Sequence, residues 1–280
     1  MQPVLTLWRT ILCLSLVLLA VPGAAHAEGK LEAHYRASLA GLPIGKGSWV
    51  VDIGDTHYTA AASGATTGLI KVFVGGSGTG AAQGTLAGGK PAASNYSATL
   101  KAGKQKDEVR MTVAGGTVKE FKVEPPQDPD PKRIPVTEAQ RHGVLDPMTA
   151  SLAIVAGTGE VNSPKVCERS VAVFDGKMRY DLKLGYKRTE KVKAEKGYSG
   201  LAYVCSVTFV PVAGYIPSRS AIKYLAKSED IEVWLVPIAG TRVMVPFRAQ
   251  VGTPFGLGVV EATRFVATPG PSQAKAGKTN

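Results

Sequence analysis

The chain is poor in the residues that build metal and redox centres, with 3 cysteines and 4 histidines among 280 residues. It has no Cys-x-x-Cys, and His34, His57 and His142 are scattered without metal-ligand spacing, so a metal or redox site finds no support in the spacing and no metal or cofactor is expected. Long apolar runs are missing after residue 21, so no later segment could cross a bilayer as a helix, which needs roughly twenty such residues. Acidic side chains are scarce beside basic ones, 22 against 33, giving a formal charge of +11. That excess points to anionic partners such as lipid headgroups, lipopolysaccharide or acidic polymers.

The N-terminus reads as an export signal. Arg9 precedes an uncharged apolar run, Thr10 to Val21; Pro22 and Gly23 break it, and Ala25-His26-Ala27 offers a small-x-small cleavage site before Glu28. Residues 1–27 are therefore expected to be a cleaved signal peptide, the run being too short for a membrane anchor. Lipidation at Cys13 is disfavoured, because Leu12 stands where a small residue is needed. An exported chain would work outside the cytosol, which argues against a nucleic-acid partner. Of the cysteines only Cys167 and Cys205 would remain, and one disulfide is the economical reading in an oxidising space. The rival, a thiol site for metal or redox chemistry, lacks both a Cys-x-x-Cys and a nearby histidine.

Residues 31–39 alternate strictly, Leu31, Ala33, Tyr35, Ala37 and Leu39 against Glu32, His34, Arg36 and Ser38, which predicts a half-buried strand. Further strands are predicted over 48–53, 57–66, 92–101, 107–113 and 118–124. The Gly- and Ala-rich stretch 64–90, with the apolar run Leu69 to Val74, reads as a short helix or strand entering a tight bend. Prolines 125, 126, 129, 131 and 135 make a rigid exposed connector, followed by a helical turn at Thr137. Asp146-Pro147 has the form of an N-cap with proline at the first helical position, and Met148, Leu152, Ile154 and Val155 would give that helix an apolar side to pack on a sheet. Strands then resume around an Asp175-Gly176 hairpin turn and over 201–210, 231–238, 242–250 and 257–266. Pro237 and Pro246 favour edges or bulges. The expected organisation is a single β-rich domain over 28–267 and a disordered tail over 268–280, which lacks any large apolar residue.

Several motifs imitate known chemistry. Gly76-Ser-Gly78-Thr-Gly-Ala81 matches a loose dinucleotide-binding pattern, but the glycines after it make a following helix poor. Gly84 to Lys90 has the spacing of a phosphate-binding loop, yet Pro91 occupies the place of the magnesium-ligating hydroxyl. Small residues in a bend explain both better. Ser220-Ala-Ile-Lys223 imitates the serine-lysine pair of exported cell-wall enzymes without their other elements. Glu229 with Asp230, and Asp128 with Asp130, read as solvated loop charges. No catalytic residue is assigned.

Two features suggest binding. Lys183, Lys187, Arg188, Lys191, Lys193 and Lys196 crowd one hairpin against Glu190 and Glu195, either a basic face or a solvated hairpin tip. Phe209 to Tyr215 and Trp234 to Ile238 are too apolar to face solvent, so Phe209, Tyr215 and Trp234 are candidate cavity-lining residues unless that interior is filled.

Taken together, Cys167 to Leu182, Cys205 to Tyr215, Asp146 to Leu152, Gly41-Leu-Pro-Ile-Gly45 and the strands from Trp234 to Glu261 resemble the domain-of-unknown-function family 3108, exported proteins of Gram-negative bacteria. The resemblance covers about residues 30–267. It implies a mainly β protein, an antiparallel curled sheet forming an open barrel or β-spiral, with one or two short packed helices. It also implies a cysteine bridge between neighbouring strands, and no enzymatic activity. The expected function is a non-enzymatic periplasmic envelope protein binding a lipid, glycan or protein partner on a concave β-surface. The alternatives are a scaffold for another envelope protein without a small ligand and, with least support, a cell-wall or lipid hydrolase.

Overall fold

The computed structural model describes residues 28–68, 75–87, 90–155 and 161–270. The predicted signal peptide, the apolar run Leu69 to Val74 and the tail beyond residue 270 lie outside the described residues. Seven strands form the first half: β1 (Gly29–Leu39), β2 (Leu42–Ile53), β3 (His57–Thr66), β4 (Gly76–Ala87), β5 (Lys90–Ala102), β6 (Gln105–Ala114) and β7 (Thr117–Glu124). After the proline connector come a one-turn helix α1 (Pro147–Ala150) and β8 (Ala153–Ile154), then β9 (Arg169–Phe174), β10 (Arg179–Lys193), β11 (Lys196–Gly197) and β12 (Ser199–Ala213). Helix α2 (Ser220–Lys227), β13 (Glu232–Pro237), β14 (Val243–Thr253) and β15 (Gly256–Pro269) complete the chain.

All fifteen strands belong to one sheet. Its order runs β7, β6, β5, β4, β3, β2, β1, β15, β14, β13, β12, β10, β9, with β8 added to β14 and β11 to β15. The β1–β15 ladder joins two meanders, from Gly29↔Pro269 at one end to Leu39↔Gly258 at the other. The sheet curls without closing. Its edge strands β7 and β9 are bridged by the segment ahead of α1: His142 pairs with Thr117, and Leu145 runs parallel to Val173. The Val144 amide donates to the Gly116 carbonyl at 3.2 Å, and the Leu145 amide to that of Ala172 at 2.9 Å. Val144 then packs among Val109, Met111, Val118 and Phe174, while Lys177 Nζ reaches Asp107 Oδ2 at 2.6 Å. Bridging backbone hydrogen bonds, apolar packing and the Lys177–Asp107 ion pair thus hold together the two ends that a closed barrel would join by a ladder.

The alternation read in 31–39 is borne out. Leu31 and Ala33 are buried in a core with Val51, Ile53, Tyr58, Phe247 and Phe265, each large side chain contributing about 1.5–3 kcal/mol. The Asp175-Gly176 turn also forms, with Gly176 at φ +94°, where a side chain would be strained and would strike Val109. Pro246 lies opposite a bulge between Trp234 and Leu235, and Pro237 ends β13; neither is on an edge strand.

Other expectations need correction. The glycine-rich stretch is not simply a bend, because residues 76–87 form the full-length strand β4, paired on both sides. The helix after Asp146 is only one turn, since Ala153 and Ile154 leave it to pair with β14 as β8. The ordered domain extends past 267, with Thr268 and Pro269 on the ladder with β1. Cys167 and Cys205 are bonded, but not between neighbouring strands: Cys167 ends a 3₁₀ turn (Pro164–Cys167) and Cys205 lies on β12, which β10 separates from β9.

Asp146 anchors α1 from a position without solvent access. Its Oδ1 accepts the amides of Met148 (2.9 Å) and Thr149 (3.0 Å), and its Oδ2 accepts the Thr149 hydroxyl. That hydroxyl has only one hydrogen, so the Tyr58 hydroxyl donates to Thr149 in turn, tying α1 to β3. Gly84, opposite Tyr58, leaves room for the ring; a Cβ there would lie 2.7 Å from the phenol oxygen. Burial pushes the Asp146 carboxyl above its ordinary range, and the bonds from Thr149 and Met148 offset this only in part.

Two outcomes follow from these anchors. A proton is held more tightly by native Asp146 than by the unfolded chain, so its favourable contribution is complete below the unfolded pKa and is lost as pH rises through the folded value. Asp146→Asn, which keeps an acceptor for both amides, is expected to remove that loss, while Asp146→Ala costs about 1–2 kcal/mol at low pH and less as pH rises; urea unfolding across pH checks this, and equal damage by both variants at low pH would refute it. Replacing both cysteines by serine frees a loop of sequence separation 38. The expected cost is about 4 kcal/mol in the chain-entropy picture, read as a lower urea midpoint of the double variant.

Candidate functional site

Strand pairing aligns the inward side chains of β1 to β5 into rows across the sheet. In the deep rows Leu31, Val51 and Ala60 lie beside Ala82 and Tyr96, and Ile53 lies beside Tyr58; large side chains fill this end. Nearer the turns the rows empty. One reads Ala33, Trp49, Ala62, Gly80, Ala98; the next reads Tyr35, Gly47, Gly64, Gly78, Leu100. With Ala37, Gly45 and Thr66 beyond them, small residues hold most inward positions on four adjacent strands, so the wall lines a hollow that is open to solvent.

That space is a cavity of about 880 Å³, within the roughly 300–1,000 Å³ range of small-molecule sites. Pro147, Met148 and Ser151 of the α1 region form another wall; a Cβ on Gly80 would lie 3.1 Å from the Met148 sulfur. Pro246 and Val260 complete the lining. The Tyr35 hydroxyl donates to the Pro246 carbonyl at 2.8 Å, which satisfies both groups in an apolar setting, and burial pushes that hydroxyl's pKa up. The charged residues of the lining, Lys46 and Lys101, are exposed and stand on outward-alternating positions. The interior is therefore neutral and suited to hydrocarbon.

The residues expected to line a cavity lie elsewhere. Trp234 is 2% exposed within the filled core, Phe209 packs on Tyr180 at 5.3 Å, and Tyr215 gives its carbonyl to the Ile134 amide; none lines the large cavity. Bulky aromatics fill the space they reach, and here the hollow is made by residues too small to fill it.

The basic hairpin is partly neutralised. Arg188 forks onto Glu232 with contacts of 3.1 and 3.0 Å and reaches Glu190 at 2.6 Å, while Lys187 lies 2.6 Å from Glu232. The Arg188 fork holds the Glu232 carboxyl below its ordinary range. The Trp234 indole N–H, 2.6 Å from Glu190, and then Arg188 do the same for Glu190. Arg188 and Arg248 flank the Trp234 ring at 5.5 and 4.7 Å. This cluster is a cross-strand clasp, leaving Lys183, Lys191, Lys193 and Lys196 as the exposed cations of the hairpin.

The imitated motifs do not assemble chemistry. Gly76 to Ala81 lie within β4 with no helix after them. Ser220 and Lys223 are exposed on α2, with no hydrogen bond between them among the described residues. His34 and His57 are exposed, and His142 Nδ1 meets the Thr117 hydroxyl at 3.0 Å. Among the described residues no three histidine, cysteine or carboxylate side chains group to hold a metal, and no helix is long and apolar enough to cross a membrane. The residues that sequence reasoning missed, Gly45, Gly47, Ala62, Gly64, Gly78 and Gly80, did carry a signal: small residues repeating with period two on consecutive strands.

Comparison with known proteins bears on the family. No curated protein matches the chain. A solved structure with some likeness is the crystal structure of a beta-barrel-like protein of domain of unknown function DUF1849 from Brucella abortus, with 8% identity and a TM-score of 0.47 over 86% of this chain and 98% of that one. The family described as "Protein of unknown function (DUF3108)" matches over residues 32–263. The chain belongs to that family, as its cysteine-flanked strands and Asp-Pro-led helix suggested.

Proposed function

We propose that this protein is a non-enzymatic binding protein of the bacterial envelope, working in the periplasm, that holds a hydrophobic molecule such as a lipid acyl chain. The observation that carries this reading is the apolar hollow of about 880 Å³ behind small side chains. Hydrocarbon settling against these walls takes apolar surface out of water, which is the favourable term that would hold it there. The N-terminal segment with export character and the excess of basic residues fit an envelope setting with anionic lipids.

A second reading, a scaffold for another envelope protein, draws on the rim. Leu42 (68% exposed) and Phe255 (80% exposed) flank neighbouring turns, where the Ala40 amide donates to the Leu257 carbonyl at 2.9 Å. Such side chains suit a macromolecular contact.

The readings separate on filling the cavity. A Cβ at Gly64 comes no closer than 3.5 Å to other atoms, so Gly64→Leu puts bulk into the hollow with its first carbon clear of backbone, and Ala62→Leu adds bulk on the neighbouring row of the lining. Native mass spectrometry of protein from its own periplasm is expected to carry hydrophobic mass that both variants lose. Binding of an added acyl chain should weaken at least about tenfold, with the melting temperature of the ligand-free protein held or raised. Wild-type protein free of such mass and indifferent to added lipid would favour the scaffold.

A further inference from the structure

A second, smaller cavity of about 160 Å³ lies across the α1 region from the large one and shares Pro147, Ser151 and Pro246 with it. It is roughly the size of a cavity that accommodates benzene. Its walls include Leu182, Leu184, Val233 and Leu235, and into this apolar set comes one cation, Arg169 at the start of β9. Arg169 pairs in register with Leu184 and is partly buried. Among the described residues no carboxylate, carbonyl or hydroxyl meets its guanidinium.

That isolation contrasts with three other arginines close to apolar surface. Arg188 forks onto Glu232, Arg179 pairs with Asp181 at 2.8 Å, and Arg248 has Glu261 at 4.0 Å and Gln250 at 3.1 Å. Desolvation alone pulls the Arg169 pKa down, with no anion to offset it. A guanidinium nonetheless stays charged in proteins, so Arg169 presents to an apolar chamber a partly buried cation that no protein anion pairs. A carboxylate or phosphate arriving there would meet a planar fork of donors in a low dielectric, where a charge-assisted pair is strongest.

We infer that the molecule bound by this protein is a single-tailed anionic amphiphile, whose hydrocarbon tail occupies the large cavity and whose acidic group reaches Arg169 in the small one. This builds on the reading of the large cavity as a hydrocarbon site. It adds the chemistry of the headgroup: a carboxylate or a phosphate monoester, each able to accept two parallel N–H bonds.

Full-length, delipidated protein would be titrated with palmitate, hexadecyl phosphate and hexadecanol, each displacing the neutral fluorescent probe 1-aminoanthracene. The wild type is expected to bind at least one acid about 10- to 100-fold more tightly than the alcohol, the range set by one charge-assisted bond. In Arg169→Gln that ratio should fall to about one, and in Arg169→Lys it should stay intermediate. Whichever acid is preferred identifies the source of the anion. Equal affinity of the wild type for acids and alcohol would overturn the inference while leaving the hydrocarbon site standing, and so would an Arg169→Gln variant that folds with its acid preference intact. Failure of all three compounds to displace the probe from the wild type would overturn the hydrocarbon site itself.

Discussion

Asp146 accepts two amides and a hydroxyl where no water reaches, and the course of the chain from residue 142 to 155 depends on that contact. Through Thr149 it reaches Tyr58 on β3, and just upstream the same segment bridges β7 and β9. One short stretch thereby holds the two edges of an open sheet together and supplies a wall to both cavities. Removal of a buried carboxylate's partners is costly because the group has no water to turn to, which is why this contact can position so much structure.

The sheet divides its interior by side-chain volume. The strand pairing that stacks Leu31, Val51 and Tyr96 into a packed end continues without interruption into rows of glycine and alanine. Backbone geometry is the same in both regions, and only the side chains differ. A rigid, hydrogen-bonded wall can therefore line a hollow without collapsing onto it, as loosely held side chains would. Charge follows the same division, with paired clusters such as Arg188–Glu232 on the sheet and neutral surface within the large cavity.

Much of the fold was legible because alternation is a direct imprint of the pleat. β1, β3 and the Asp175-Gly176 hairpin could be read from residue order alone. β4 could not, because glycine carries neither hydrophobic signal nor strand preference, and its strand character comes from β3 and β5 on either side. The helix after Asp146 was overestimated because its apolar residues also suit a strand, and an available partner on β14 drew Ala153 and Ile154 out of helical geometry. The site was missed for a related reason. Large apolar side chains mark a core, whereas a cavity is marked by what is small, and small residues look like turns. Arg188 looked like part of a free basic face since its partner Glu232 is 44 residues away.

The ladder between the first and last strands has a consequence for the order of assembly. β1 can zip to β2 early, but its other edge waits for residues 256–269, more than two hundred positions along the chain. Until then the first meander keeps an unpaired, partly apolar margin, and contacts of such separation form slowly. A chain built this way is exposed to sticking to its neighbours for as long as its last strand has not arrived.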